Sequence, residues 1–302
     1  MDSINCKARA KINLGLDVCR RLENGYHEVK MVMQTVDIYD ELSLKKREDA
    51  DIVLLVNSGD DLGKLEDNLI YKAAKRMREH YDLDRGIEIY LKKNIPVAAG
   101  MAGGSADAAA TMLGINELFS LGRSKEELME LALPLGADIP FCIMGGTALA
   151  EGIGEKLTQL PAPPDAVLVV VKPPIMVSTG KVYQCLDLKE LQKHPDIDGM
   201  VAAIRNSDLN GIVQRMENVM ETVTEAEFPI ITDIKRMMTG NGALNAMMSG
   251  SGPSIFGVFM DRTTAADAAE YVQRTLQQRG MDAQIYVTTF YNEEVSKNGG
   301  AV

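Results

Sequence analysis

The stretch that decides the reading of this chain runs Asn94-Ile95-Pro96-Val97-Ala98-Ala99-Gly100-Met101-Ala102-Gly103-Gly104-Ser105-Ala106, followed by Asp107-Ala108-Ala109-Ala110-Thr111-Met112-Leu113. Upstream, residues 86–92 alternate as a strand, Ile87-Glu88-Ile89-Tyr90-Leu91. Downstream, the alanine-rich run predicts a helix starting near Gly103–Ser105 and ending near Phe119. The segment is therefore a strand, a small-residue loop and a helix. Residues without bulky side chains let backbone N–H groups approach a ligand closely. The first turn of a helix adds unpaired N–H donors and the positive end of the helix dipole. Those parts together bind phosphate. Ser105 adds a hydroxyl within reach of a phosphate or its Mg²⁺. A plain tight turn with small residues is the alternative reading of the loop alone.

Several familiar nucleotide and metal motifs are missing. G-x-x-x-x-G-K-[ST] and G-x-G-x-x-G do not occur, and neither do the H-R-D and D-F-G elements of protein kinases. His27-Glu28 begins like a zinc-protease helix, but position 31 is Met. The four cysteines, Cys6, Cys19, Cys142 and Cys185, form no C-x-x-C pair and are expected as reduced, mostly buried thiols.

The 302 residues carry a net charge of −11, which argues against nucleic acid as a partner. The start of the chain lacks the pattern of a secretory signal. The longest uncharged run, residues 237–260, is broken by Gly240, Asn241, Gly242, Asn245 and the Ser249–Ser254 turn, so no membrane span is expected. A cytoplasmic protein is the expectation, as monomer or homodimer.

Elsewhere the pattern mixes strands and helices irregularly. Strands are predicted over 8–18, with Ile12, Leu14 and Leu16 on one face, and over 31–39, 41–46, 51–56, 145–151, 166–171, 245–249, 254–259 and 283–288. A turn is predicted at Glu23-Asn24-Gly25. Helices are predicted over 68–80, 179–186, 208–217, 230–238 and 264–279, and one opening at Ser124 with Glu127 completing a capping box. A frayed tail is expected over 292–302. Pro161-Ala162-Pro163-Pro164 reads as a linker, giving domains 1–160 and 161–302. Consecutive strands favour α+β over a doubly wound sheet.

Three further segments carry chemistry. In Lys7-Ala8-Arg9-Ala10-Lys11-Ile12-Asn13, Lys11 and Asn13 share one strand face. In Leu135-Gly136-Ala137-Asp138-Ile139-Pro140-Phe141, an Asp among apolar residues needs a partner if buried, or else caps a turn. Ser249-Gly250-Ser251-Gly252-Pro253-Ser254 is a second small-residue turn.

In this order the four segments resemble the GHMP kinase superfamily, over roughly residues 6–290. Ala10-Lys11-Ile12-Asn13-Leu14, Asn24-Gly25-Tyr26-His27, the 135–140 segment and Ala150-Glu151-Gly152-Ile153-Gly154-Glu155 are similar to the branch whose substrate is a cytidyl diphosphate. The resemblance implies a ribosomal protein S5 domain 2-like N-terminal domain and a ferredoxin-like C-terminal domain. It implies ATP as phosphoryl donor with Mg²⁺, an alcohol as acceptor, and a place in isoprenoid precursor synthesis. It places the catalytic pair on Lys11 and Asp138, with Asp138 as general base. It places the ATP phosphates on Pro96, Val97, Ala98, Ala99, Gly100, Met101, Ala102, Gly103, Gly104, Ser105 and Ala106. Tyr26 would stack on the cytosine, His27 would hydrogen-bond to it, and Asn13, Thr179 and Tyr183 would line the substrate cavity. No protein carboxylate is evident for the metal beside Asp138. One departure is Ala102, where the family often has Gly. Kinases of the superfamily that act on mevalonate, homoserine or galactose, and a nucleotide-binding protein without turnover, are the rival readings. Gly25-Tyr26-His27 argues against the former, and Lys11 with Asp138 against the latter.

Overall fold

A computed structural model describes residues 2–23, 25–57, 64–189, 191 and 193–292. Asn24 and all but the first residue of the expected tail at 292–302 lie outside them.

Two long antiparallel strands form the spine, β1 (Ser3–Arg21) and β2 (His27–Lys46). They join β3 (Ile52–Val56), β4 (Ile87–Lys92), β5 (Thr147–Glu151) and β6 (Lys156–Leu160) in a six-stranded sheet. Along its other edge β2 pairs with β4 near its end and with β5 nearer its start. The β3–β4 pair is parallel. Residues 31–46, read as two strands from the sequence, are one continuous strand.

The register of β1 shifts between Asn13 and Gly15. Such a bulge reverses which side chains face which way. Ile12 and Leu14 accordingly enter one core, whereas Leu16 enters another and lines the cavity described below. The uninterrupted alternation expected for 8–18 is corrected at this point.

Helices α1 (Leu69–His80), α2 (Gly103–Leu118), α3 (Lys125–Ala132) and α4 (Ile139–Met144) cover the first sheet. Asn68 caps α1 by accepting from the Ile70 N–H, and the capping box of Ser124 with Glu127 is present. Most residues of α2 beyond its first turn are buried, which is why its sequence shows no continuous polar face.

The second sheet contains β7 (Val167–Lys172), β8 (Asn245–Met248), β9 (Ile255–Phe259) and β10 (Gln284–Thr289), in the order β10-β7-β9-β8 with all neighbours antiparallel. Between β7 and β8 lie α5 (Thr179–Cys185), α6 (Ile197–Arg205), α7 (Leu209–Val213), α8 (Glu221–Glu227) and α9 (Ile230–Gly240). Helix α10 (Arg262–Gln278) precedes β10. This is the β-α-β-β-α-β arrangement of a ferredoxin-like unit with extra helices inserted. Helices α6 and α8 and strand β6 were not expected from the sequence, and α7 is shorter than its pattern predicts.

The cysteines are less buried than expected: Cys6 and Cys142 are half-buried, while Cys19 and Cys185 are exposed. Desolvation holds the Cys6 thiol up at about 11 and raises Cys142 further, so both are inert thiols. No helix among the described residues is long and apolar enough to cross a membrane.

Candidate active site

The loop ahead of α2 forms one wall of a cleft of about 880 Å³, within the range of small-molecule sites. Its N-cap, Ala102, adopts left-handed backbone at φ 56°, ψ 33°, so the helix begins abruptly. The first-turn N–H groups of Gly103, Gly104 and Ser105 have no intrahelical acceptor, whereas the Ala106 N–H already reaches the Ala102 carbonyl at 2.8 Å. The first turn carries no acidic residue, so the positive end of the dipole is left for a ligand.

Of the eleven loop positions expected to hold phosphate, nine line the cleft and two do not. Met101 is fully buried in the core, and its carbonyl accepts from the Lys11 N–H at 3.1 Å. Ala106 is buried on the inward side of α2. Both support the loop from behind rather than facing the cleft.

Lys11 and Asp138 are 127 positions apart in the chain (138 − 11), and the fold brings Lys11 Nζ to 3.9 Å from Asp138 Oδ2. The two approach from different elements, β1 and the start of α4. Asp138 occupies the N-cap position of α4 but makes no capping bond. Its carboxylate turns to the cleft, with its side chain 36% exposed, so of the two readings offered by its apolar neighbours the paired one holds and the cap does not. Lys11 is buried and donates to Asn13 Oδ1 at 2.8 Å, which fixes the ammonium. Asn13 in turn points its amide at Met31 Sδ.

At the other end of the cleft, the start of β2 presents His27, whose ring stacks on Tyr183 of α5 with centroids 4.9 Å apart. Partial desolvation, helped by Arg21, lowers the His27 pKa, favouring a neutral imidazole with one donor and one acceptor. Burial, and then the charge of Asp138, pushes the Tyr183 phenol up to about 12. Tyr26 projects beside them and is 60% exposed. Thr179 Oγ1 lies 2.7 Å from Ser251 Oγ in the late Gly-Ser turn. All seven residues expected as catalytic pair or substrate contacts, Lys11, Asp138, Asn13, Tyr26, His27, Thr179 and Tyr183, line this single cleft.

Sequence reasoning missed other lining residues, among them Leu16, Arg21, Asn68, Lys93, Asp107 and Ile153. Lys93 donates to Asp40 and, at 2.9 Å, to Asp107 Oδ2, all three buried directly beneath the cradle. Burial is the main force raising the Asp107 pKa, opposed by Lys93 and reinforced by Asp40. Asp40 also accepts the N–H groups of Asn94 and Ile95, so it anchors the chain just before Pro96. An Asp40–Lys93 separation of 53 positions gives no local signal, so only the folded chain shows the trio. Among the described residues, no three His, Cys, Asp or Glu side chains converge as a metal-binding group.

Comparison with known proteins identifies the family. Residues 68–146 match the model of the GHMP kinases N terminal domain, and residues 200–278 that of the GHMP kinases C terminal domain. The chain is similar to the 4-diphosphocytidyl-2-C-methyl-D-erythritol kinase of Lachnospira eligens, 51% identical over 95% of this chain and 98% of the relative. It is similar to the enzyme of the same name from Clostridioides difficile, 46% identical over 88% of this chain and 90% of the relative. Among solved structures, a 4-(cytidine 5'-diphospho)-2C-methyl-D-erythritol kinase superposes with a TM-score of 0.79 at 29% identity, covering 96% of this chain and all of that one. A homoserine kinase from Cytophaga hutchinsonii superposes as well, at 0.80 over 96% of this chain and 95% of its own, but at 23% identity, a likeness of fold alone. With both halves matched in order and relatives about half identical along nearly the whole sequence, the chain belongs to the GHMP kinase family.

Proposed function

We propose that the chain transfers the terminal phosphoryl group of ATP to the 2-hydroxyl of 4-diphosphocytidyl-2-C-methyl-D-erythritol, a step toward isoprenoid precursors. The observation that carries the reading is the Lys11–Asp138 pair, held between a phosphate cradle at one end of the cleft and a stack of aromatic rings at the other.

ATP lies with its phosphates against the N–H groups of Gly103, Gly104 and Ser105. Cytosine enters beside Tyr26 and Tyr183, within reach of the His27 imidazole. A neutral imidazole suits a base edge, because it offers both a donor and an acceptor. The acceptor hydroxyl then falls near Asp138. The carboxylate takes its proton as the hydroxyl oxygen bonds to the terminal phosphorus, and the bond from that phosphorus to the β-phosphate oxygen breaks. ADP carries away the electron pair. Lys11, locked by Asn13, meets the negative charge that spreads over the moving group.

Mg²⁺ fits this site as a partner of the nucleotide. A hard cation of this size keeps several waters and uses few protein oxygens besides phosphates. The Ser105 hydroxyl, at the cradle, is the oxygen that would help hold it, and the ion would neutralise phosphate charge. We propose that the two halves divide between residues 160 and 161; the end of β6 at Leu160 and the proline-rich run after it support that reading.

The direct test is ADP release by the purified protein with the cytidyl substrate, compared with mevalonate, homoserine and galactose. Turnover with the cytidyl substrate alone is expected. Equal turnover with any of the others would overturn the reading.

A further inference from the structure

The Ser249–Gly252 turn, between β8 and β9, meets three walls of the cleft. Ser249 Oγ donates to the Gly100 carbonyl at 3.0 Å, and the Ser254 N–H reaches the Ala99 carbonyl at 3.2 Å. Ser251 meets Thr179 on the substrate side. A Cβ placed on Gly250 would stand 3.5 Å from Asn13 Oδ1 and 3.2 Å from the Gly100 carbonyl. The turn therefore wedges between the cradle, the strand bearing Lys11 and the substrate wall.

One buried side chain holds that turn. Asn218 is 5% exposed, and its Nδ2 donates both to the Met248 carbonyl at 2.9 Å and to the Gly250 carbonyl at 2.8 Å. Its Oδ1 accepts from the Met220 N–H at 3.0 Å. The backbone on either side of Asn218 is itself bound to β1: the Leu16 N–H donates to the Glu217 carbonyl at 2.9 Å, and the Val219 N–H to the Leu16 carbonyl at 3.1 Å. One residue thus ties strand β1, close beyond Lys11 and Asn13, to the turn that backs the cradle.

We propose that Asn218 is a positioning residue for phosphoryl transfer, fixing the distance between the Lys11 strand and the phosphate cradle through the Ser249–Gly252 turn. The inference rests on the kinase reading above. Each reactant keeps its own contacts when the tie is lost, because ATP binds the loop and the base binds the far rings. What is lost is their mutual alignment, and small misplacements of reacting groups lower the chemical step steeply. The signature is a fall in kcat with little change in either KM.

Asn218→Asp isolates the two donors. It keeps the size and the acceptor for the Met220 N–H, but removes both N–H groups facing the carbonyls. The experiment measures kcat, both KM values, the stoichiometry of nucleotide binding by calorimetry, and Tm. The expected result is one nucleotide bound per chain, KM values within about threefold of the parent and kcat lower by roughly 10- to 100-fold. Asn218→Ala combined with Ser249→Ala should then lose less than the product of the single losses, since both act through one turn. The inference fails if Asn218→Asp turns over at the parent rate per bound nucleotide, or if its whole deficit is a loss of nucleotide-binding chains, the mark of a merely structural role. It also fails if the paired losses multiply independently. Absence of turnover in the parent protein would instead remove the kinase reading.

Discussion

The two ends of the cleft are built from different materials. The cradle end is backbone: its donors are N–H groups, its side chains are small, and Met101 and Ala106 behind it are buried. The far end is side chain: Tyr26 and His27 at the turn into β2 and Tyr183 on α5, with Tyr26 largely in solvent. Backbone donors recognise any phosphate, whereas ring faces and imidazole edges choose one base. The contrast teaches where change can be tolerated. Remaking the far end alters the guest, but remaking the cradle disturbs both the core and the host strand.

The sharpest blow falls between the ends. Asp138→Asn should fold and bind both substrates but lose about 10²–10⁴-fold in kcat, the usual share of a general base. Single-turnover kinetics with circular dichroism checks this, and parental turnover would remove Asp138 from the chemistry.

Gly100→Ala attacks the cradle. Gly100 sits at φ +72°, and a Cβ there would lie 2.3 Å from the Ser249 carbonyl oxygen, a backbone atom with little room to yield. Overpacking of this kind costs about 1–3 kcal/mol, and the backbone must shift with it. A lower Tm together with a raised KM for ATP is expected from thermal denaturation and kinetics.

His27→Ala attacks the far end. The KM for the cytidyl substrate should rise by about 10-fold, the worth of a hydrogen bond or two to the base. Tm and the KM for ATP should not move. If the KM for ATP moved as well, the two ends would not be independent.

Ala102→Gly is the mildest change. A non-glycine residue in left-handed backbone costs about 1 kcal/mol, but glycine gives back a similar amount of unfolded-state entropy. Stability within about 1 kcal/mol of the parent is therefore expected by chemical denaturation.

The cradle end was the more legible in the sequence, because its parts are contiguous. Small residues and the helix start at Gly103 are local, and the structure has each where expected. The family's motifs supplied Lys11, Asp138 and the aromatic residues, which no spacing rule could have joined. That Met101 and Ala106 face away from the cleft was not legible, because loop membership does not say which way a residue faces. The bulge after Asn13 escaped for the same reason: alternation reads straight through a register shift that only the partner strand imposes. Asn218 and the Asp40–Lys93–Asp107 trio gave no signal, since their partners are distant in sequence and met only on folding.

The long β1–β2 hairpin begins in one hydrophobic core and ends in the other, with Ile12 and Leu14 in the first and Val18, Val29 and Met31 in the second. The proline-rich link is therefore a poor place to recombine the gene. A chimera that took its latter half from a distant relative would inherit a sheet shaped for somebody else's hairpin tip. Exchange between such kinases should succeed only when residues 15–31 travel with the second half.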